Sequence, residues 1–372
     1  MKINKNTLDK RVFLFYYWLV KNLLIITQKV DESDDLLGFF VDWLKEFAKY
    51  FDKIFVITLL KGEYKLPENV FVYSLGKEKN NSKISRVFNF YRFLFQLVSK
   101  TTGVFAHMSP IFVIAVWPAT FLLRKKIILW YLHRSVTMRL KLAEKLCYKI
   151  VTSTKESLNI KSDKIIEVGH GIDTEKFKTQ RDWDKKYLLK ELRILSVGRI
   201  SQIKNYETLI KAISILRDKG LNFFVKIVGR PVMPYDFEYF EKLKKLVEEK
   251  KLINNIEFTG FVPYSHIADY YKETDIFINL APTGGIDKVV LEAMASGCIV
   301  LTSNSVFSKY LGSYSKDLIF IFNNENDLAK RIASISSLSP NVKREFSDYM
   351  VATIHKYHDI GNLIQKISQF FL

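Results

Sequence analysis

The stretch richest in chemistry runs Gly284-Gly285-Ile286-Asp287-Lys288-Val289-Val290-Leu291-Glu292-Ala293-Met294-Ala295-Ser296-Gly297. It lies between two apolar runs that read as buried strands, Ile276-Phe277-Ile278-Asn279-Leu280 and Cys298-Ile299-Val300-Leu301. The spacing predicts a glycine turn and then a helix over 287–296, stopped by Gly297. Such a turn presents backbone N–H groups at the positive end of a helix dipole, which is a place to hold an anion. Glu292 falls one to two turns further in, where a carboxylate can accept hydrogen bonds from hydroxyls. An anion site beside a hydroxyl acceptor suits a sugar carried on a phosphate.

This helix resembles the donor-site helix of the GT4 family of retaining glycosyltransferases, which have the GT-B fold. That family often carries a Glu, seven residues, and a second Glu within Leu-Glu-Ala-Met-Ala. Glu292 matches the second, and Gly284 stands where the first is expected. Val197-Gly198-Arg199-Ile200 followed by Lys204-Asn205 is similar to the family's Gly-Arg and Lys pair, which binds the donor diphosphate. Val168-Gly169-His170-Gly171-Ile172-Asp173 followed by Phe177 is similar to the segment just before the interdomain linker. The blocks keep their chain order over residues 165–300, and together they are specific.

The resemblance implies transfer of a sugar from a nucleotide-sugar to an acceptor hydroxyl, with retention and no required metal or cofactor. Breaking the anomeric bond leaves a negative diphosphate, which fixed cations must meet. Arg199 and Lys204 are expected there, with Gly198 admitting the backbone. Arg199 follows a strand and a glycine, so it belongs at a strand's C-terminal end, where open α/β sheets bind ligands. Glu292, by the family pattern, accepts from the ribose hydroxyls.

Gly284 leaves three readings open. The N–H groups of Gly284, Gly285 and Ile286 hold the sugar or phosphate; Asp287 substitutes for the acid; or the donor is weakly held. Asp287 equally suits a helix cap, and Lys288 could pair with Glu292 at i,i+4. His133, at the end of a predicted strand, is similar to family histidines that contact the donor sugar. His107 ends another strand and is its rival, and His170 sits in a glycine-bracketed loop. Near the N-terminus, Asp34 or Asp35 could orient an acceptor hydroxyl or only cap a helix.

Strand and helix signals alternate almost end to end, which argues for parallel sheets with helices on both faces. Candidate strands in the first half are 23–27, 54–58, 70–73, 104–108, 127–132, 150–153 and 165–168; candidate helices are 35–51, 84–99, 111–123, 136–148 and 155–159. A second series follows residue 191, closing with a strand at 318–322 and a helix at 326–336. The expected fold is α/β: two Rossmann-like doubly wound domains facing a cleft. We expect an N-terminal acceptor domain over 1–174, a charged linker over 175–190 and a nucleotide-sugar domain over 191–340. By the resemblance, part of the helical tail 341–372 crosses back to the first domain.

The 372 residues allow two or three domains, and the apolar and charged fractions, 48% and 26%, are those of a globular protein. Cys147 and Cys298 give neither a disulfide framework nor metal spacing. A reducing, cytoplasmic setting is expected. Net charge is +18, and it is uneven: residues 81–149 hold 12 Lys/Arg against Glu144 alone. That field draws anionic partners, such as a lipid-linked acceptor or an anionic membrane face; the plainer reading is a solvated surface. Helix 84–99 carries more aromatics than one buried stripe needs, which suits either a membrane interface or burial against its own sheet.

Two apolar segments imitate membrane signals. Val12 to Val20 resembles a short signal peptide, but no small-residue cleavage site follows. Residues 101–123 are uncharged, but Ser109-Pro110 breaks the run and Pro118 would kink it, so a strand and a buried helix fit better. The non-enzyme alternative is a glycosyltransferase-like binding or scaffold protein disabled at Gly284. A nucleic-acid partner rests on charge alone, since no recognised module is present.

Overall fold

The computed structural model describes residues 21–188, 191–282 and 285–372. The chain forms two units: 1–168 together with 361–372, and 169–360.

The first unit is built on a seven-stranded parallel sheet. Its strands are β1 (Asn22–Val30), β2 (Lys53–Lys61), β3 (Val70–Ser74), β4 (Gly103–His107), β5 (Lys126–Trp130), β6 (Lys149–Thr152) and β7 (Ile165–Glu167). Their order is β3-β2-β1-β4-β5-β6-β7. β1 is apolar over consecutive residues rather than alternating, because both faces of a parallel sheet are covered. Leu24 and Ile26 pack with Leu94, Val113, Val116 and Leu140 from helices Lys83–Leu97, Pro110–Leu122 and Met138–Leu146. The opposite face carries helix Phe40–Phe47, with Phe47 against Phe105 at 5.2 Å and Trp43 against Trp130 at 4.7 Å.

The second unit has a five-stranded parallel sheet of β8 (Leu192–Val197), β9 (Phe223–Val228), β10 (Ile256–Gly260), β11 (Ile276–Asn279) and β12 (Ile299–Thr302), ordered β10-β9-β8-β11-β12. In both sheets the strand order reverses beside the first strand of the series, and in open α/β sheets ligands bind at such a switch point.

The apolar run 101–123 resolves as β4 and helix Pro110–Leu122. No helix among the described residues is long and apolar enough to cross a membrane. The signal-like stretch Val12 to Val20 lies outside the described residues.

Several expectations are corrected. The segment expected to be a linker carries two short helices, Thr174–Phe177 and Trp183–Leu188. Phe177 and Trp183 are buried in the second unit's core. Arg181 sends its guanidinium inward to the carbonyls of Ser296, Thr274 and Tyr271. The charged composition concealed two aromatic anchors and a cation whose partners are backbone groups far along the chain. The helix expected over 35–51 is shorter, Phe40–Phe47, and the periodic stretch 155–159 is a single 3₁₀ turn, Lys155–Ser157. The strand expected over 318–322 contributes one bridge, Thr302 to Ile319, after a short helix at Ser315–Leu318.

In the tail, helix Pro340–Tyr357 belongs to the second unit and the chain changes unit at Gly361. Phe371 then packs where a Cβ on Gly103 would stand, 2.6 Å from its ring, and Lys126 Nζ donates to the Phe370 carbonyl at 2.9 Å.

Candidate active site

Three glycines end neighbouring strands of the second sheet. Gly198 N–H donates to Val228 O at 2.9 Å, and Gly229 N–H donates to Gly260 O at 2.8 Å. A Cβ on Gly229 would lie 1.9 Å from Gly198 O, so only glycine permits these turns to close together. The tight edge sets the backbone direction from which Arg199 and the loop to Lys204 depart.

Arg199 is partly solvated, its side chain 48% exposed, with Nε 3.8 Å from Asp236 Oδ2. Asp236 is fully buried and is fixed by the N–H groups of Val232 and Met233 at 3.3 and 3.0 Å. The guanidinium is therefore anchored at one end and free to meet an anion at the other. In the following loop, buried Ser201 Oγ and Asn205 Nδ2 have no hydrogen-bond partner among the described residues. Unsatisfied buried polar atoms are costly and cluster where a ligand belongs.

Lys204 spans the switch point. It follows β8, and its Nζ lies 3.1 Å from Oδ2 of Asp287, which follows β11. Asn279, the last residue of β11, donates to the same oxygen at 2.8 Å. Asp287 is at the N-cap position of helix Lys288–Ala295, but its side chain makes no capping bond. The carboxylate faces the Arg199–Lys204 loop instead, which corrects the helix-cap reading. Ile286 is buried, and the Gly285 carbonyl accepts from Asn304 Nδ2 at 3.4 Å. Gly284 lies outside the described residues.

Glu292 is 2% exposed. Its Oε2 accepts from Tyr271 OH at 3.2 Å, and Lys288 Nζ is 3.6 Å from Oε1, the expected i,i+4 pair. Burial raises its pKa; the charges and hydroxyls of Lys288, Tyr271, Lys176 and Tyr264 oppose the shift. Tyr264 lies under two cations, Lys176 at 3.9 Å and Lys288 at 4.8 Å from its ring centroid, and its hydroxyl is 3.2 Å from Lys288 Nζ. Glu292 is thus held in a nest of hydroxyls and cations.

His170 belongs with this group. Its backbone N–H donates to His358 Nδ1 at 3.2 Å. Its imidazole is pushed down to about 3, by burial first and then by the charge of Lys288, against a hydrogen bond to Ile286. A neutral His170 therefore buttresses the loop before helix Lys288–Ala295.

The first-unit candidates separate. His133 is exposed, three residues past the end of β5. His107 is a core residue and not a surface group: it is 0% exposed, paired with Thr27 Oγ1 at 3.0 Å and stacked on Phe40 at 3.8 Å. Burial pushes its pKa down to about 3, so it stays neutral and packs the core rather than meeting substrate. Asp34 pairs with Lys29 at 2.6 Å and accepts from the N–H groups of Leu36 and Leu37, so it caps a turn; Asp35 is exposed.

Sequence reasoning missed Asp236, Asn279, Tyr264, Tyr271 and Gly229. Only Gly229 left a signal, as a glycine ending an apolar run in Val228-Gly229-Arg230. The others matter through partners distant in sequence.

Residues 178–350 match the family described as "Glycosyl transferases group 1". The match covers most of the second unit. Among similar chains, the putative colanic acid biosynthesis glycosyltransferase WcaL of Escherichia coli is 28% identical over 165 residues, 41% of this chain and 39% of WcaL. The alpha-monoglucosyldiacylglycerol synthase of Streptococcus pneumoniae is 26% identical over 240 residues, 60% of this chain and 50% of the synthase. The chain thus spans half or less of the length of these curated relatives. In fold, it matches Anabaena HepE, solved with UDP and glucose: TM-score 0.70, 16% identity, 94% of this chain and 98% of HepE. The architecture is therefore GT-B, two parallel-sheet α/β units.

Proposed function

We propose that this protein is a retaining glycosyltransferase that moves a sugar from a nucleotide-sugar to the hydroxyl of a glycan or lipid-linked acceptor. The observation that carries the reading is the Lys204–Asp287 pair, which joins the loop holding Arg199 and Lys204 to the start of the helix that carries Glu292, within the region of the family match. Arg199 and Lys204 supply positive charge at the departing diphosphate, where charge grows on the way to the transition state. Glu292 takes the ribose hydroxyls. On this reading no divalent ion is needed. That HepE is seen with UDP and glucose, and that one relative is a monoglucosyldiacylglycerol synthase, support a nucleotide-sugar donor and admit a lipid acceptor. Calorimetry across UDP-, GDP- and ADP-sugars, followed by donor hydrolysis with and without a chelator, tests this. Saturable binding of one donor and chelator-resistant turnover are expected; binding without turnover would favour the scaffold alternative.

The reading includes a peripheral seat on an anionic membrane. On helix Lys83–Leu97, Phe90, Leu94 and Leu97 are buried, while Ile84, Val87, Phe88, Tyr91 and Phe95 form a second, exposed apolar row. Phe121, Leu122 and Met138 are exposed on helices that share the same core. Lys83, Arg92, Lys100, Arg124, Arg139 and Lys141 are exposed around them. The segment's one acid, Glu144, already accepts from Ser162 Oγ at 2.6 Å. Cations near an anionic surface contribute about 1 kcal/mol each, and salt screens them. The protein is expected to sediment with anionic vesicles, to release in high salt, and to lose most binding as Phe88→Ser/Phe95→Ser with an unchanged melting temperature. Equal partitioning onto neutral and anionic vesicles would count against it.

A further inference from the structure

This inference rests on the donor-site reading and concerns Asp287. The start of the donor helix combines N–H dipoles with the Lys204 cation, the two features that attract a phosphate. The anion beside that cation is a side chain of the protein. Asp287 Oδ2 is 3.1 Å from Lys204 Nζ and 2.8 Å from Asn279 Nδ2. Asn279 is fixed in turn, its Oδ1 accepting from buried Thr302 Oγ1 at 3.0 Å, so the carboxylate is held from below by the sheet. The Lys204 and Asp287 side chains are 21% and 30% exposed, dry enough for the pair to matter and open enough for it to part.

We propose that Asp287 is a resident counter-anion of the donor site: it holds Lys204 until a diphosphate takes its place, and so sets nucleotide affinity. Binding is then an exchange of anions at one cation. Asp287 keeps Asn279 when Lys204 leaves it, so the site need not unfold to accept the donor. The exchange favours the incoming group because a diphosphate carries more charge than a carboxylate and reaches Arg199 as well. The same competition weakens the hold on the nucleoside diphosphate after transfer and speeds its release, a step that often limits turnover.

Asp287→Asn keeps the size and the acceptor for Asn279 but removes the charge. Calorimetric titration with UDP, GDP and ADP, and separately with inorganic pyrophosphate, is compared among the native chain, Asp287→Asn, Lys204→Met and the double variant. Asp287→Asn is expected to bind the preferred diphosphate about tenfold more tightly, a difference of about 1.4 kcal/mol. In the Lys204→Met background the same change should yield much less. Unchanged or weaker binding in Asp287→Asn overturns the proposal, as does an equal gain without Lys204, which would mean general repulsion instead of a specific pair. If neither the native chain nor Asp287→Asn binds any diphosphate, the donor-site reading falls and takes this proposal with it. If the native chain binds and the variant does not differ, only this proposal falls.

Discussion

Lys204→Ala and Arg199→Ala should each lower sugar-transfer turnover at least about tenfold while leaving the fold intact, since fixed positive charge at a leaving group is typically worth that or more. Neither side chain is part of the core. Arg199 is half-exposed beside Asp236, and Lys204 reaches across the switch point to Asp287. The two should differ in detail. Removing Lys204 leaves Asp287 with Asn279 but no cation, so a negative group faces the donor phosphates and substrate affinity should fall together with turnover. Removing Arg199 leaves buried Asp236 with its two backbone donors, so the loss should fall mainly on turnover. Steady-state kinetics with thermal melts as a fold control measure both, and unchanged kinetics in both variants would remove the donor-site assignment.

Gly229→Ala should destabilise the second unit by about 3 kcal/mol or more, a fall in melting temperature of about 6–12 °C for a unit of this size. Its φ is +145°, a backbone region that side chains rarely adopt, and the new Cβ would sit 1.9 Å from Gly198 O and 2.8 Å from Gly198 C. Both contacts are backbone, so relief requires the two strand ends to part, and that moves the origin of Arg199. Weak nucleotide binding should therefore accompany the lower melting temperature. Gly220→Ala is the control: its φ is +74°, but nothing lies within 4 Å of the added carbon, so it bears conformational strain alone, about 1 kcal/mol. Equal effects at the two sites would show that close approach is not what Gly229 provides.

The outline of this protein was written locally in its sequence. Apolar runs of four to nine residues alternate with amphipathic stretches, and both-face burial in parallel sheets makes such runs conspicuous. Ser109-Pro110 divided β4 from its helix because Pro at a helix's first position marks a start. The Glu292–Lys288 pair was legible because four residues along a helix is a fixed distance. Gly198, Arg199 and Lys204 could be placed at a strand's end from their own neighbourhood.

What tertiary structure decided was which of these local pieces meet. Nothing within 80 residues of Lys204 announces Asp287; they touch because β8 and β11 are neighbours in the sheet order. His107 and His133 look alike in sequence, each at or just past the end of a strand. Helix Phe40–Phe47 covers the first, making it a neutral core ring, and leaves the second exposed. Residues 175–190 read as a charged tether because composition reports how polar a segment is and not where its few aromatics and its Arg181 can dock. Periodicity and capping are short-range and survive translation into sequence. Strand order, close backbone approach and ion pairing depend on distances the folded chain alone sets.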